Sequence, residues 1–287
     1  MFKNPLKYHC FGLFFAFFLA FCLKPDRGDC SDFQSSRTMG LGGAGHANPL
    51  LNDAIYMNPS FTSFIPYRSF GASYLWHGTG QNTESGTGYN LSILDGSKDA
   101  LFQAGVGFTK RGDSSIVHIG ASKSVIDRLG FGLGAKIILP AGTNDRHFES
   151  TLSFTGIVTD WFQAAIMVDN LFQNHANLGY YREWILGTKI NALSIVSLFI
   201  DPHWVPALPA GQNWGYEAGL EFTVFSDFYL RFGEFRNSLI PFRATRGNGF
   251  GAGLGWLAPK ISVDYGISRT LSPVLATAHQ IGLTIFF

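Results

Sequence analysis

Three sets of residues have types and spacings that chemistry uses. Gly40-Leu41-Gly42-Gly43-Ala44-Gly45 fits the G-x-G-x-x-G form, in which backbone N–H groups cradle a pyrophosphate. That use needs a hydrophobic strand before the glycines, a helix after them and an acid about 20 residues on. No such strand precedes them and no βαβ pattern follows, so a flexible or tightly turned segment is expected. Gly130, Gly132 and Gly134 alternate along a strand pattern and form no phosphate loop. His118, Ser122 and Asp264 supply the side chains of a nucleophilic hydrolase. Residues four apart on a strand, however, are separated by about 13 Å, too far for His118 to bond Ser122. The eight histidines are scattered with no H-x-x-x-H pair. The three cysteines, Cys10, Cys22 and Cys30, all lie near the start. The rest of the chain therefore offers no metal site, disulfide framework or catalytic thiol. The residues predict no enzyme, no cofactor and no metal.

Charged residues at alternating positions remain. Lys136, Glu217, Glu221, Arg231 and Asp264 each fall on the small-residue face of a period-2 segment. Two readings stay open: charges paired across neighbouring strands or solvated by luminal water, and charges that hold a plug or line a solute path.

The elements that place them have a strict alternation. In 260–268, Ile261, Val263, Tyr265 and Ile267 oppose Ser262, Asp264, Gly266 and Ser268. In 213–224, Trp214, Tyr216, Ala218, Leu220, Phe222 and Val224 oppose Gly215, Glu217, Gly219, Glu221 and Thr223. A soluble sandwich would carry charge on its outer face; here the second face is Gly, Ser and Thr, as in a barrel with lipid outside and water or a plug inside. Strands are expected at 68–76, 88–94, 101–110, 115–123, 129–139, 149–158, 162–169, 181–190, 193–201, 213–225, 228–235, 246–256, 260–268 and 277–287. Most approach the 9–11 residues of a tilted membrane strand. Connections after the even strands are short; those after the odd strands are mostly longer, apart from 111–114. That asymmetry, with a periplasmic N-terminus, puts the odd-to-even loops outside.

Composition agrees. Of 287 residues only 14% are charged and 15% are aromatic, with 28 Phe and 34 Gly. The net charge of +1 gives no footprint for nucleic acid. Lys3 and Lys7 precede an apolar run of about 13 residues, 11–23, the pattern of an export signal and too short to span a bilayer as a helix. Residues 1–30 are assigned to that signal. Its cleavage site stays open: Leu19-Ala20-Phe21-Cys22 approximates a lipobox, with Phe21 where a small residue belongs, and cleavage before Ser31 is the alternative. At the other end Ile281, Leu283, Ile285 and Phe287 alternate up to a terminal aromatic. This resembles the signal read by the outer-membrane assembly machinery. Trp76, Trp161, Trp184, Trp214 and Trp256 lie near strand ends, as interfacial girdle residues do.

Residues 31–66 show neither period. A barrel of fourteen strands has a lumen too wide for Gly, Ser and Thr to fill, so this segment is expected inside it as a hatch. Gly40, Gly42, Gly43 and Gly45 would allow tight folding, Asn52, Asp53 and Asn58 would bond luminal polar groups, and Asn58-Pro59 would turn. The fold class is thus all-β: a transmembrane antiparallel barrel over 67–287 with the hatch at 31–66.

Arg37-Thr38-Met39-Gly40-Leu41-Gly42-Gly43-Ala44, then Asn52-Asp53-Ala54, then Asn58-Pro59-Ser60 resembles the opening of mature FadL-superfamily proteins, R-x-M-G-M-G-G-A, D-D-A and N-P-A. Ser60 departs from the usual Ala. The second half, in 226–233, 249–255, 261–266 and 279–284, is similar to the PorV/PorQ-type branch. The resemblance implies a fourteen-stranded barrel with an N-terminal hatch. It implies passage of hydrophobic or amphipathic small molecules across the outer membrane, or alternatively an accessory of protein secretion or a structural surface protein. Partners would be outer-membrane lipid, a hydrophobic ligand, the assembly machinery or a secreted protein. Leu75, Leu94, Met167 and Ile185 are expected inside, to line an apolar cavity or pack against the hatch.

Overall fold

The structure is a computed structural model that describes residues 33–79, 85–112, 114–176, 179–193, 195–242 and 245–287. The expected signal, 1–30, lies outside the described residues.

Fourteen antiparallel strands close into one barrel, each paired with its sequence neighbours and the first with the last. They are β1 (Arg68–Thr79), β2 (Ser85–Asp95), β3 (Gln103–Arg111), β4 (Ser114–Ile126), β5 (Leu129–Pro140), β6 (His147–Ile157) and β7 (Phe162–Asp169). The second half is β8 (Glu183–Ala192), β9 (Val196–Trp204), β10 (Trp214–Val224), β11 (Phe228–Leu239), β12 (Arg246–Ala258), β13 (Ile261–Ser272) and β14 (Ala276–Phe286). The seam pairs Phe70 with Ile285 and Trp76 with His279. Closure leaves no strand edge, which is what permits a sheet in hydrocarbon.

Alternation sorts the side chains. Tyr74, Ile93, Val106, Ile119, Leu133, Phe154, Ile166, Leu186, Ile200, Leu220, Phe232, Leu254 and Ile281, from thirteen different strands, are exposed on the outside. No soluble barrel would show such a band to water. All six tryptophans, including Trp204, are exposed, and Trp204 stacks on Trp214 at 5.9 Å. Ile281, Leu283, Ile285 and Phe287 face outward as well. Phe287 exchanges backbone hydrogen bonds with Arg68, tying the chain end to the first strand.

Strand positions follow the alternation closely; their lengths do not. β1, β11 and β13 run several residues past the expected ends, and the connection after β11 shrinks from 236–245 to 240–245. Apolar alternation stops at Arg236, but pairing continues through a bulge between Phe235 and Ser238. Asn237 sits in it at φ 52°, its amide donating to the Trp214 carbonyl. Most odd-to-even connections are consequently tighter than expected; 170–182, expected at 170–180, is instead longer, and 205–213 is the next longest.

The buried core lies where the N-terminal segment meets the inner wall. Leu51, Ala54, Ile55, Tyr56, Met57, Phe61 and Ile65 form one apolar cluster with Leu94 and Phe286. Met39 packs with Leu75, Phe235, Ile240 and Phe242.

The luminal hatch as candidate functional site

Residues 33–66 fill the lumen as two one-turn helices, α1 (Ser36–Gly40) and α2 (Asp53–Met57), and a 3-10 turn over Pro59–Phe64. Ser35 starts α1 with a reciprocal cap: its hydroxyl accepts from the Thr38 N–H, and the Thr38 side chain accepts from the Ser35 N–H. Pro59 opens the 3-10 turn at the position where its missing N–H costs nothing. α1 lies against β11–β14, α2 against β3 and β4, and the 3-10 turn against β3–β6, so the segment crosses the lumen from wall to wall.

The small inner face makes this approach possible. A Cβ on Gly233 would collide with the Leu41 carbonyl, one on Gly251 with the Met39 carbonyl, and one on Gly132 with the Ser60 amide. On the hatch, Gly42, Gly43 and Gly45 hold φ of +67°, +97° and +134°, angles that side chains resist. Gly40 lies on Gly253; there a Cβ would meet the Gly253 Cα at 3.0 Å.

Polar latches fix the segment. Arg37 donates to both oxygens of Glu221, at 3.1 and 3.2 Å. Arg231 donates to Glu221 at 2.7 Å and to Asp264 at 2.5 Å, so one buried network joins α1 to β10, β11 and β13. Asp201 accepts from the Gly45 N–H, the His46 N–H and the His46 ring at 2.7–2.9 Å. Asn58 donates to Thr155 at 2.7 Å and to the His46 carbonyl at 2.7 Å. The Ser60 amide donates to Ser153 at 2.9 Å, Asn52 donates to Ser92 at 2.9 Å, and Ser35 donates to Asp53 at 2.6 Å. Lys136 pairs with Asp169 at 2.5 Å on the wall, and Ser238 donates to Glu217.

Two hatch groups have shifted acidity. Burial opposes a charge on His46, but the Asp201 bond and the charges of Asp201, Glu217 and Glu183 outweigh it, and its pKa rises to about 9. Burial pushes Asp53 up to about 7 against the pull of Ser35 and Arg37.

Among the sequence-selected luminal groups, Glu221, Arg231 and Asp264 come together; Lys136 and Glu217 stand elsewhere on the wall. Arg37, His46 and Asp201, which carry the strongest latches, were not selected. Arg37 stood in the opening motif, and Asp201 was legible only as an acid ending an alternating segment. The hydrolase trio is not assembled: Ser122 bonds Thr62 at 2.6 Å, Asp264 is held by Arg231, and His118 packs edge-on to Tyr56. His46, Asp201 and Glu217 group closely enough to suggest a cation site, but Asp201 is already saturated by N–H donors.

A cavity of about 80 Å³ remains between the hatch and the β7–β11 wall. Phe33, Tyr56, Met57, Met167, Ile185 and Ile240 give its apolar surface; His46, Asp169, Glu183, His203 and Glu217 give its polar one. Leu75 and Leu94 are buried in the two hatch clusters instead.

A closed, lipid-facing barrel whose lumen is filled by its own N-terminal segment defines a plugged outer-membrane barrel. Three solved structures share this fold. The Ralstonia pickettii toluene transporter TbuX aligns with a TM-score of 0.66 at 10% identity, over 89% of this chain and 98% of that one. The CymD monoaromatic hydrocarbon channel aligns at 0.65 and 12%, over 88% and 97%. A Pseudomonas aeruginosa FadL homologue aligns at 0.60 and 10%, over 90% and 99%. No family model and no curated protein sequence matches the chain.

Proposed function

We propose that this chain is a channel of the outer membrane that passes small hydrophobic or amphipathic molecules, with residues 33–66 as its gate. The carrying observation is the half-apolar cavity directly against a hatch that is latched by side chains rather than covalently. The solved neighbours that are described as transporting toluene or monoaromatic hydrocarbons support the same class. Cells producing the protein should take up radiolabelled toluene faster than cells lacking it. Deleting residues 40–60 should leave an assembled, heat-modifiable barrel that conducts ions in planar bilayers while the intact chain stays nearly closed. Unchanged uptake would overturn transport; equal conductance of two assembled forms would overturn the gate.

A second reading follows from the PorV/PorQ-like residues in 226–233, 249–255 and 261–266, together with the tight odd-to-even connections. The barrel then serves as an accessory of protein secretion. Its test is recovery of one secreted protein, in stoichiometric amount, on pull-down from native outer membrane.

A further inference from the structure

Two histidines meet at the end of the barrel that carries the odd-to-even connections. His147 opens β6, and His175 stands in the connection between β7 and β8. Their ring centroids are 4.4 Å apart, with the planes tilted by 52°. His147 is half-buried and the His175 side chain is 23% exposed, so both stand within reach of solvent. Neither takes part in the latches of the hatch.

Glu149 backs one of them. It is fully buried, and its Oε1 accepts from the His175 backbone N–H and from the His175 ring at Nδ1, each at 2.9 Å. A carboxylate can only accept, so Nδ1 carries a proton, and in the neutral ring the lone pair is left on Nε2. Metal-bound imidazoles are commonly backed by a carboxylate in this way, which fixes the tautomer and the ring orientation. The ring of His147 has no hydrogen bond among the described residues.

The spacing selects the kind of ion. With metal–nitrogen bonds of about 2.0–2.1 Å and the nitrogen about 1.1 Å from its ring centre, an ion stands about 3.2 Å from each centroid. Centroids 4.4 Å apart then subtend about 90° at the ion. The tetrahedral angle that zinc prefers would need them about 5.2 Å apart. A right angle between two nitrogens is the cis angle of a square-planar or tetragonal site, the geometry of divalent copper, which also heads the affinity order for nitrogen ligands.

We infer that His147 and His175 are a cis pair of imidazole ligands for one divalent copper ion, with water in its remaining positions. The ion ties the connection after β7 to the start of β6. His175 and its backing Glu149 are 26 positions apart, so the site exists only in the closed barrel.

The test uses the full chain in detergent, purified without a histidine tag and with its own cysteines replaced by serine. Copper binding is read by calorimetric titration and by electron paramagnetic resonance. The parent should bind one copper ion most tightly, with hyperfine structure from two nitrogens. His147→Gln and His175→Gln should each weaken that binding at least about 100-fold, because the chelate is lost. Glu149→Gln keeps both imidazoles and should weaken it about ten-fold. His46→Gln should leave it unchanged. Heat-modifiability checks that each variant is assembled. The inference is overturned by either histidine variant or Glu149→Gln binding copper as the parent does, by a one-nitrogen signal, or by loss of the site in His46→Gln.

Discussion

Glu221→Gln should unlatch the hatch without opening the barrel. In the parent, Glu221 is shared by Arg37 of α1 and Arg231 of β11, and both arginines are almost wholly buried. The substitution preserves shape and removes the charge. Arg231 retains Asp264 at 2.5 Å, so the wall keeps its pair. Arg37 loses its charged partner and keeps only neutral ones, among them the Asn48 carbonyl at 3.1 Å and the Phe199 ring at 5.2 Å. Breaking one side of a buried ion pair costs about 3–5 kcal/mol. If that cost falls on docking, the undocked population rises by roughly 100- to 4,000-fold, at about 1.4 kcal/mol per power of ten. A near-isosteric Ser36→Cys, in a chain whose own cysteines are replaced by serine, reports it through its labelling rate. Ser36 is 3% exposed and reacts only when α1 lifts. Rates should rise by at least two powers of ten in Glu221→Gln. Adding Arg37→Gln should recover part of the loss, since no uncompensated cation then remains on the hatch side. Labelling within about three-fold of the parent, in barrels that stay heat-modifiable, would refute the claim that this network holds the hatch.

The hatch should loosen as pH rises, because both shifted groups have raised pKa values and both favour the docked state most below their ordinary values. Asp53 acts between about 4 and 7 and His46 between about 6.5 and 9. Ser36→Cys labelling should therefore accelerate in two steps, with Asp53→Asn removing the lower one and His46→Gln the upper; a flat profile from pH 4 to 10 would count against the assignment. Gly233→Val should favour the strand locally yet displace Leu41, giving an assembled barrel with raised bilayer conductance; a closed channel would contradict the wall-to-wall fit. Single cysteines at Asn174 and Gln212 should react with an impermeant reagent on intact cells and one at Ser226 should not; the reverse pattern would invert the barrel in the membrane.

The barrel was legible in the sequence because period 2 is a local property: each strand needs only its own alternation to declare its two faces, and closure follows from fourteen of them. Where alternation lapsed, legibility lapsed too, as at Arg236 and Asn237, where pairing outlasts the apolar face through a bulge. The hatch was legible as a remainder, a glycine-rich stretch in a chain whose lumen needed filling. Its contacts were not. Asp201 and His46 are 155 positions apart, and nothing in either neighbourhood marks the other. Glu217, Glu221, Arg231 and Asp264 could be placed on the inner face by counting, but which of them share a bond depends on register and on a plug of no regular period. Lys136 finding Asp169, 33 residues on, across β6 is of the same kind.

The latch between Arg37 and Glu221 spans 184 residues. Its consequence concerns the order of events at birth. A chain is made and exported from its N-terminus, so α1 arrives early, yet it rests on β11–β14 and bonds Glu221 of β10, which arrive last. Until those strands close, Arg37 has no carboxylate and α1 has no wall, although α2 and the 3-10 turn can already meet β3–β6. The α1 end of the hatch can therefore dock only after the last strands are in place. Contacts of such long separation pay their loop entropy before any reward. Docking of α1 thus belongs to the last stage of assembly, after the wall it rests on exists.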